Sequence, residues 1–146
     1  MDRSRVAPRS QTLAPELLAR SVARLATWPT AVVFLALEEA TGAPAGVATC
    51  FRGFGTFQAA PLLNVHDLAV VPAHRRRGLA RALLTAAIAL AKDEGCGKVT
   101  LEALASNANA NALYESLGFA FDMRFGELRL LPGGCCGGPH GVAGGA

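Results

Sequence analysis

An apolar run, Leu62–Val71, stops at Pro72 and passes through Arg75-Arg76-Arg77-Gly78 into a second apolar run that opens at about Arg77. Few folds accommodate that order. The first run has strand length and lies between turn signals. The second carries Leu79, Leu83, Leu84, Ala87, Ile88, Leu90 and Ala91, which leaves little polar face and predicts a helix buried on most sides over Arg77–Glu94. A strand feeding a helix through a glycine turn leaves the first N–H groups of that helix unpaired and pointing one way. With the positive end of the helix dipole behind them, these donors make a site for phosphate. Gly78 and Ala80 keep the surface low enough for a pyrophosphate to reach the backbone.

The flanking segments read as a sheet wrapped around this unit. Pro15 suits a first helical position, and Leu17, Leu18, Val22 and Leu25 form one apolar stripe, so a helix runs from Leu13 to the Trp28-Pro29 stop. Ala31–Glu38 is a β-branched and aromatic run bounded by the turn residues Thr41-Gly42-Ala43-Pro44. A second strand resumes at Gly46, and Gly53 and Gly55 mark either a bulge or a close backbone approach. After the central helix, Gly95 ends it and Lys98–Leu104 forms a strand parallel to Leu62–Val71, a right-handed βαβ unit. Asn107–Leu117 is a short helix capped by Ser106 or Asn107 and stopped by Gly118. Phe119–Phe125 is the last strand. Residues 1–11 and 131–146 lack periodicity and are expected to be disordered, leaving one domain over 12–130. The arginine- and serine-bearing start also suits a transit peptide.

Two motifs then stand out together. Arg75-x-x-Gly78-x-Ala80 follows the strand, and Asn107-x-x-Ala110-x-x-Leu113-Tyr114-Glu115-Ser116-Leu117-Gly118-Phe119 follows the βαβ unit. Either alone is a weak pattern. In this order and spacing they resemble the acetyl-coenzyme A signature and the late Asn–Leu-Tyr–Gly-Phe element of the GCN5-related N-acetyltransferases (GNAT). The resemblance covers about Leu17 to Phe125. It implies an α/β fold with a mixed, mostly antiparallel sheet, a central splayed parallel strand pair, and flanking helices. Family members carry a further strand before the first helix and another after the one at Phe119; by that comparison the chain looks shortened at both ends.

The resemblance also implies chemistry. Acetyl-CoA is the expected cosubstrate, with pantetheine lying in the splay like an added strand and pairing with backbone at Leu68, Ala69 and Val70. The N–H groups of Arg76, Arg77, Gly78, Leu79 and Ala80 would take the pyrophosphate, and the guanidinium groups of Arg75, Arg76 and Arg77 could add charge-assisted contacts. Many relatives have glycine where Arg76 stands; if that position needs φ above zero, Arg76 is strained. Tyr114 is the expected acid, since a phenol with a pKa of about 10 stays protonated at neutral pH; the alternative is a core tyrosine. Asn107 either helps hold the cofactor arm or only caps its helix.

The base is open between His66 and Asp67. Histidine titrates near neutrality, and His66 stands where related enzymes often carry glutamate. As strand neighbours the two are expected on opposite faces, and Asp67 could instead fix a nearby loop. His74 reads as a surface residue. Phe51, Phe54 and Phe57 either line the acceptor pocket or belong to the core.

Composition mostly excludes. With 51% hydrophobic and 17% charged residues the chain is not wholly disordered. The net charge is only +3 and the basic excess is local. A nucleic-acid module would need aromatic-basic interleaving or a recognition helix, and neither is present. Cys50, Cys96 and the adjacent Cys135-Cys136 have no metal-ligand spacing, so no metal is expected, and unbridged thiols fit a reducing, cytoplasmic compartment. No apolar run reaches membrane-span length. The expected activity is direct acetyl transfer to a primary amine of a small molecule or peptide, with the oligomeric state open and a homodimer one option. The competing reading is a GNAT-fold protein that binds coenzyme A without turnover.

Overall fold

The computed structural model describes residues 14–121. The expected disordered ends, the Cys135-Cys136 pair and most of the Phe119–Phe125 strand therefore lie outside the described residues; Phe119–Phe121, the part within them, is not strand.

Helix α1 (Pro15–Ala26) is followed by strands β1 (Ala31–Leu37), β2 (Pro44–Gly55) and β3 (Ala60–Val70), helix α2 (Leu79–Asp93), strand β4 (Lys98–Leu101) and helix α3 (Ala108–Ser116). The sheet order is β1-β2-β3-β4, antiparallel through the first three strands and parallel between β3 and β4. This is the mixed sheet the resemblance implied. Pro15 begins α1 and Gly42, at φ +70°, turns the β1–β2 hairpin.

One face of the sheet packs on α2. The core there is Cys50, Leu63, Val65, Leu84, Ala87, Ala91 and Tyr114, with Val32, Phe34, Leu68, Val99 and Leu101 against it. Burial pushes the Cys50 thiol up to about 11, so it behaves as a small apolar filler rather than a nucleophile. At the far end of α2, Arg52 Nε and Nη2 grip the Glu94 carboxylate at 2.6–3.0 Å, and that hydrogen bond holds Glu94 below its ordinary pKa.

Several element bounds differ from the sequence reading; two of them, and the place of the sheet bulge, have a local reason. Helix α2 begins at Leu79 rather than Arg77, because Arg76 and Gly78 both take positive φ and cannot continue a right-handed helix backwards. Strand β4 ends at Leu101 rather than Leu104, because its ladder with β3 stops at the Val65–Leu101 pair. The sheet has irregularities at Ala36/Leu37 and at Thr49/Cys50, and none at Gly53 or Gly55. These glycines are close approaches: an added Cβ would meet Leu62 Cδ1 at 3.2 Å and Gln58 Oε1 at 2.8 Å, respectively. The bulge lies across from Thr49 and Cys50, which pair with Asp67 and Val65 and leave His66 as the extra residue in β3.

Candidate functional site

The bulge decides where the polar residues of β3 point. Leu63 and Val65 face the α2 core, and so does Leu68. Two residues, His66 and Asp67, separate Val65 from Leu68, so alternation breaks and both are exposed on the opposite face. The expectation that they face opposite sides is corrected: a regular strand alternates, a bulged one does not. The His66 ring stands edge-on to Phe51, with centroids 5.4 Å apart, which fixes it on the α1 side of the sheet.

The pairing of β3 with β4 ends at Val65, just before the bulge. The β3–β4 ladder covers Leu62–Val65 against Lys98–Leu101, and β3 then runs on to Val70 with that edge unpaired among the described residues. The edge includes Leu68, Ala69 and Val70. The Val70 carbonyl is partly engaged, since Arg75 Nε donates to it at 3.1 Å. Arg75 is thereby folded back onto the strand rather than standing free above the turn. Asn64 Nδ2 donates to Thr100 Oγ1 at 3.0 Å just before the opening. Asn111 Nδ2 bonds the carbonyls of Leu104 and Ala105, pinning the other wall. Asn111 was missed from sequence, and only its place one helical turn after Asn107 could have suggested it.

The basic turn closes the end of this opening. After a short 3₁₀ turn at Pro72–His74, Arg76 has φ +62° and Gly78 φ +80°. Backbone N–H groups from Arg76 through Arg81 donate to no group among the described residues; the first helical bond is from Ala82 N–H to the Gly78 carbonyl at 3.0 Å. Four are the orphan donors of any helix start. Arg76 and Arg77 extend the row, because positive-φ residues curl successive N–H groups into an anion-binding concavity. Gly78 has no side chain to cap its helix and open space where a Cβ would be, so the turn needs glycine for its backbone angle. Arg77 Nη1 lies 3.2 Å from His74 Nδ1, and Arg76 is exposed.

Arg76 is the strained residue its position suggested. Replacing it with glycine should raise stability by about 0.5–1 kcal/mol, as the left-handed penalty outweighs the added freedom of the unfolded chain. A thermal melt of Arg76→Gly should shift upward by roughly 2–6 °C; an unchanged or lower midpoint would show that the turn stores no strain there.

Tyr114 enters from α3 on the α2 side of the sheet. Its ring is 9% exposed and packs edge-on against Phe119 at 6.2 Å and tilted against Phe121 at 6.3 Å. Burial pushes its hydroxyl above the ordinary value, which keeps it protonated. The hydroxyl has no hydrogen-bond partner among the described residues. It is thus a core residue by its ring and, among the described residues, an unused donor by its tip. Asn107 caps α3, its Oδ1 accepting from Ala110 N–H at 3.3 Å, which leaves its Nδ2 unused among the described residues. Arg81 Nη2 donates to Ser116 Oγ at 2.7 Å and ties α3 to the start of α2.

Among the described residues, the unpaired β3 edge runs through the Pro72–His74 turn directly into the amide row. The structure does not bring His66 and Asp67 together with Tyr114, which approach from opposite faces. On the α1 face a groove of about 500 Å³ is lined by Ser21, Arg24, Leu25, Trp28 and Phe51. Phe54 and Phe57 belong to neither the groove nor the core, being 64% and 99% exposed. No cluster of three or more potential metal ligands occurs among the described residues, and no described helix is long and apolar enough to cross a membrane.

The family model described as "Acetyltransferase (GNAT) family" matches residues 6–119. Among curated proteins, the N-alpha-acetyltransferase MAK3 of Arabidopsis thaliana is 37% identical over 100 residues, 63% of this chain and 46% of that protein. The [ribosomal protein bS18]-alanine N-acetyltransferase of Escherichia coli K12 is 51% identical over 56 residues, 38% of each chain. The chain thus spans less than half the length of these relatives. Among solved structures, an aminoglycoside acetyltransferase from an uncultured soil metagenomic sample superposes with TM-score 0.67 at 25% identity, covering 86% of this chain and 76% of its own. A Trypanosoma brucei acetyltransferase does so with TM-score 0.64 at 25% identity, covering 82% of each chain.

Proposed function

The chain belongs to the acetyltransferase (GNAT) family, and from that premise we propose that it transfers an acetyl group from acetyl-CoA to a primary amine of a small molecule or peptide, directly in a ternary complex. The observation that carries this reading is the continuity of two unused sets of backbone donors. The amides from Arg76 to Arg81 suit a diphosphate, and the open β3 edge beside them suits an extended arm bearing amide groups. Arg76, with the remaining nitrogens of Arg75 and Arg77, would add charge to the phosphate contacts. Asn107 keeps one donor, its Nδ2, for the arm.

Acetyl-CoA supplies an activated thioester, so the protein has to hold it, free an amine and protonate a sulfur. Asp67 and His66 stand on the face from which an acceptor can approach. Either can take the proton that an ammonium must lose before it attacks, directly or through a water. Tyr114 stands on the other face and gives its hydroxyl proton to the departing thiolate. The opening between β3 and β4 is where the two faces meet, so base and acid serve opposite ends of one transfer without touching. Burial of Tyr114 suits the role, since a phenol held neutral is a ready donor.

The chain with saturating acetyl-CoA should melt several degrees higher than without, because a ligand at about 100 times its Kd adds roughly 2.7 kcal/mol. Thiol release over a panel of amines then tests transfer. No shift with acetyl-CoA or coenzyme A removes the whole reading. A shift without turnover of any amine favours a protein that binds coenzyme A only.

A further inference from the structure

Helix α1 buries no side chain fully: Leu17 and Leu25 are half-buried, although Leu18, Val22 and Leu25 follow helical spacing. Leu18 and Val22 remain 49% and 58% exposed. The C-terminal half of the helix, with Trp28 just beyond it, overhangs the groove above Phe51. The lining of that groove is one-sided in its chemistry. Among the described residues, Leu25, Trp28 and Phe51 supply apolar and aromatic surface, Ser21 a hydroxyl, and Arg24 the single charge, with no carboxylate on the wall. The Arg24 guanidinium has no ion pair or side-chain hydrogen bond among the described residues. At its inner end the groove reaches Phe51, which touches His66, and Asp67 lies on the same face.

Resting on the acetyl-transfer reading of this site, we infer that the preferred acceptor is an amine on an apolar or aromatic body that carries a carboxylate a residue or so away. The amine lies at the His66–Asp67 end, the body lies over Phe51 and Trp28, and the carboxylate pairs with Arg24. Charge complementarity selects this class. A cationic amine is drawn to Asp67 and an anion to Arg24, whereas a polycation places its second charge against the guanidinium with nothing acidic on the wall to offset it. The aromatic floor favours a flat or branched hydrocarbon body over a sugar.

The chain has one tryptophan, Trp28, and it lines the groove, so its fluorescence reports occupancy whether or not acetyl is transferred. Four probes are titrated into the full chain: a Phe-Glu-Ala peptide amide, the matching Phe-Lys-Ala amide, free phenylalanine, and an aminoglycoside. The glutamate peptide or phenylalanine should bind about five- to tenfold more tightly than the lysine peptide and the aminoglycoside, the scale of one partly exposed charge pair made rather than opposed. Which of the two carboxylates binds better assigns the source as a peptide or a free amino acid. Arg24→Glu should invert the order of the two peptides. Equal or reversed preference in the parent chain, an order unchanged in Arg24→Glu, or no binding by any probe overturns the inference. Failure of the acetyl-transfer reading looks different: the fluorescence order holds while no probe releases thiol from acetyl-CoA.

Discussion

Replacing Tyr114 with phenylalanine should lower turnover by about 10²- to 10⁴-fold while leaving the affinity for acetyl-CoA unchanged, which is the range for loss of a positioned general acid. The substitution removes one oxygen that has no partner among the described residues, so it leaves no donor stranded inside the protein. The ring keeps its edge contacts with Phe119 and Phe121. The melting temperature should therefore hold, and a loss of rate cannot be charged to unfolding. A pH signature accompanies it. Burial raises the Tyr114 pKa, so the neutral donor persists above the ordinary tyrosine value, and its loss shows as a fall in turnover on the alkaline side. In Tyr114→Phe that alkaline limb should be gone. Full turnover in the variant would sink the acid role and leave Tyr114 as a core residue alone.

Leu84→Ala should cost about 2–5 kcal/mol of stability, the usual span for emptying a fully buried leucine site. The residue is 0% exposed at the junction of α2 with the sheet. It belongs to the one buried cluster that joins α2 to the sheet, with Cys50, Leu63, Val65 and Tyr114. A domain of this size has about 5–15 kcal/mol in all, so the urea midpoint should fall steeply with the slope unchanged. The effect reaches the site because α2 carries the amide row at its first turn. A midpoint shift under about 1 kcal/mol would show that α2 is not held by this contact. Leu18→Ala is the natural comparison, since that leucine is half exposed on a helix with no fully buried residue.

The βαβ unit was legible because its signals are local. A β-branched run, a proline stop, a basic glycine turn and an apolar helix follow one another within a few residues. The strain at Arg76 could be anticipated for the same reason, as could the choice for Asn107, which the structure resolves toward capping for its oxygen. The bulge could not be read. No glycine or proline marks His66, and whether a strand accommodates an extra residue depends on its partner's register, here that of Thr49 and Cys50. Missing it put His66 and Asp67 on different faces. The groove was hidden for another reason. It arises where α1 fails to seat closely on β2, and an amphipathic stripe in a sequence predicts contact, not a gap. Of the three phenylalanines considered for the pocket, only Phe51 reaches it, because close approaches at Gly53 and Gly55 accompany the end of β2, where Phe54 and Phe57 are left exposed.

The spare residue in β3 has one further consequence. Because Val65 and Leu68 both look inward with two residues between them, excising His66 would leave an unbroken in-out rhythm from Leu63 to Val70 and disturb no buried position. Packing alone would be content with the shorter strand. The one packing contact of His66 among the described residues is the edge-on pair with Phe51, and what the extra residue adds besides is directional: a second polar side chain turned toward the same side as its neighbour, where the pairing with β4 ends.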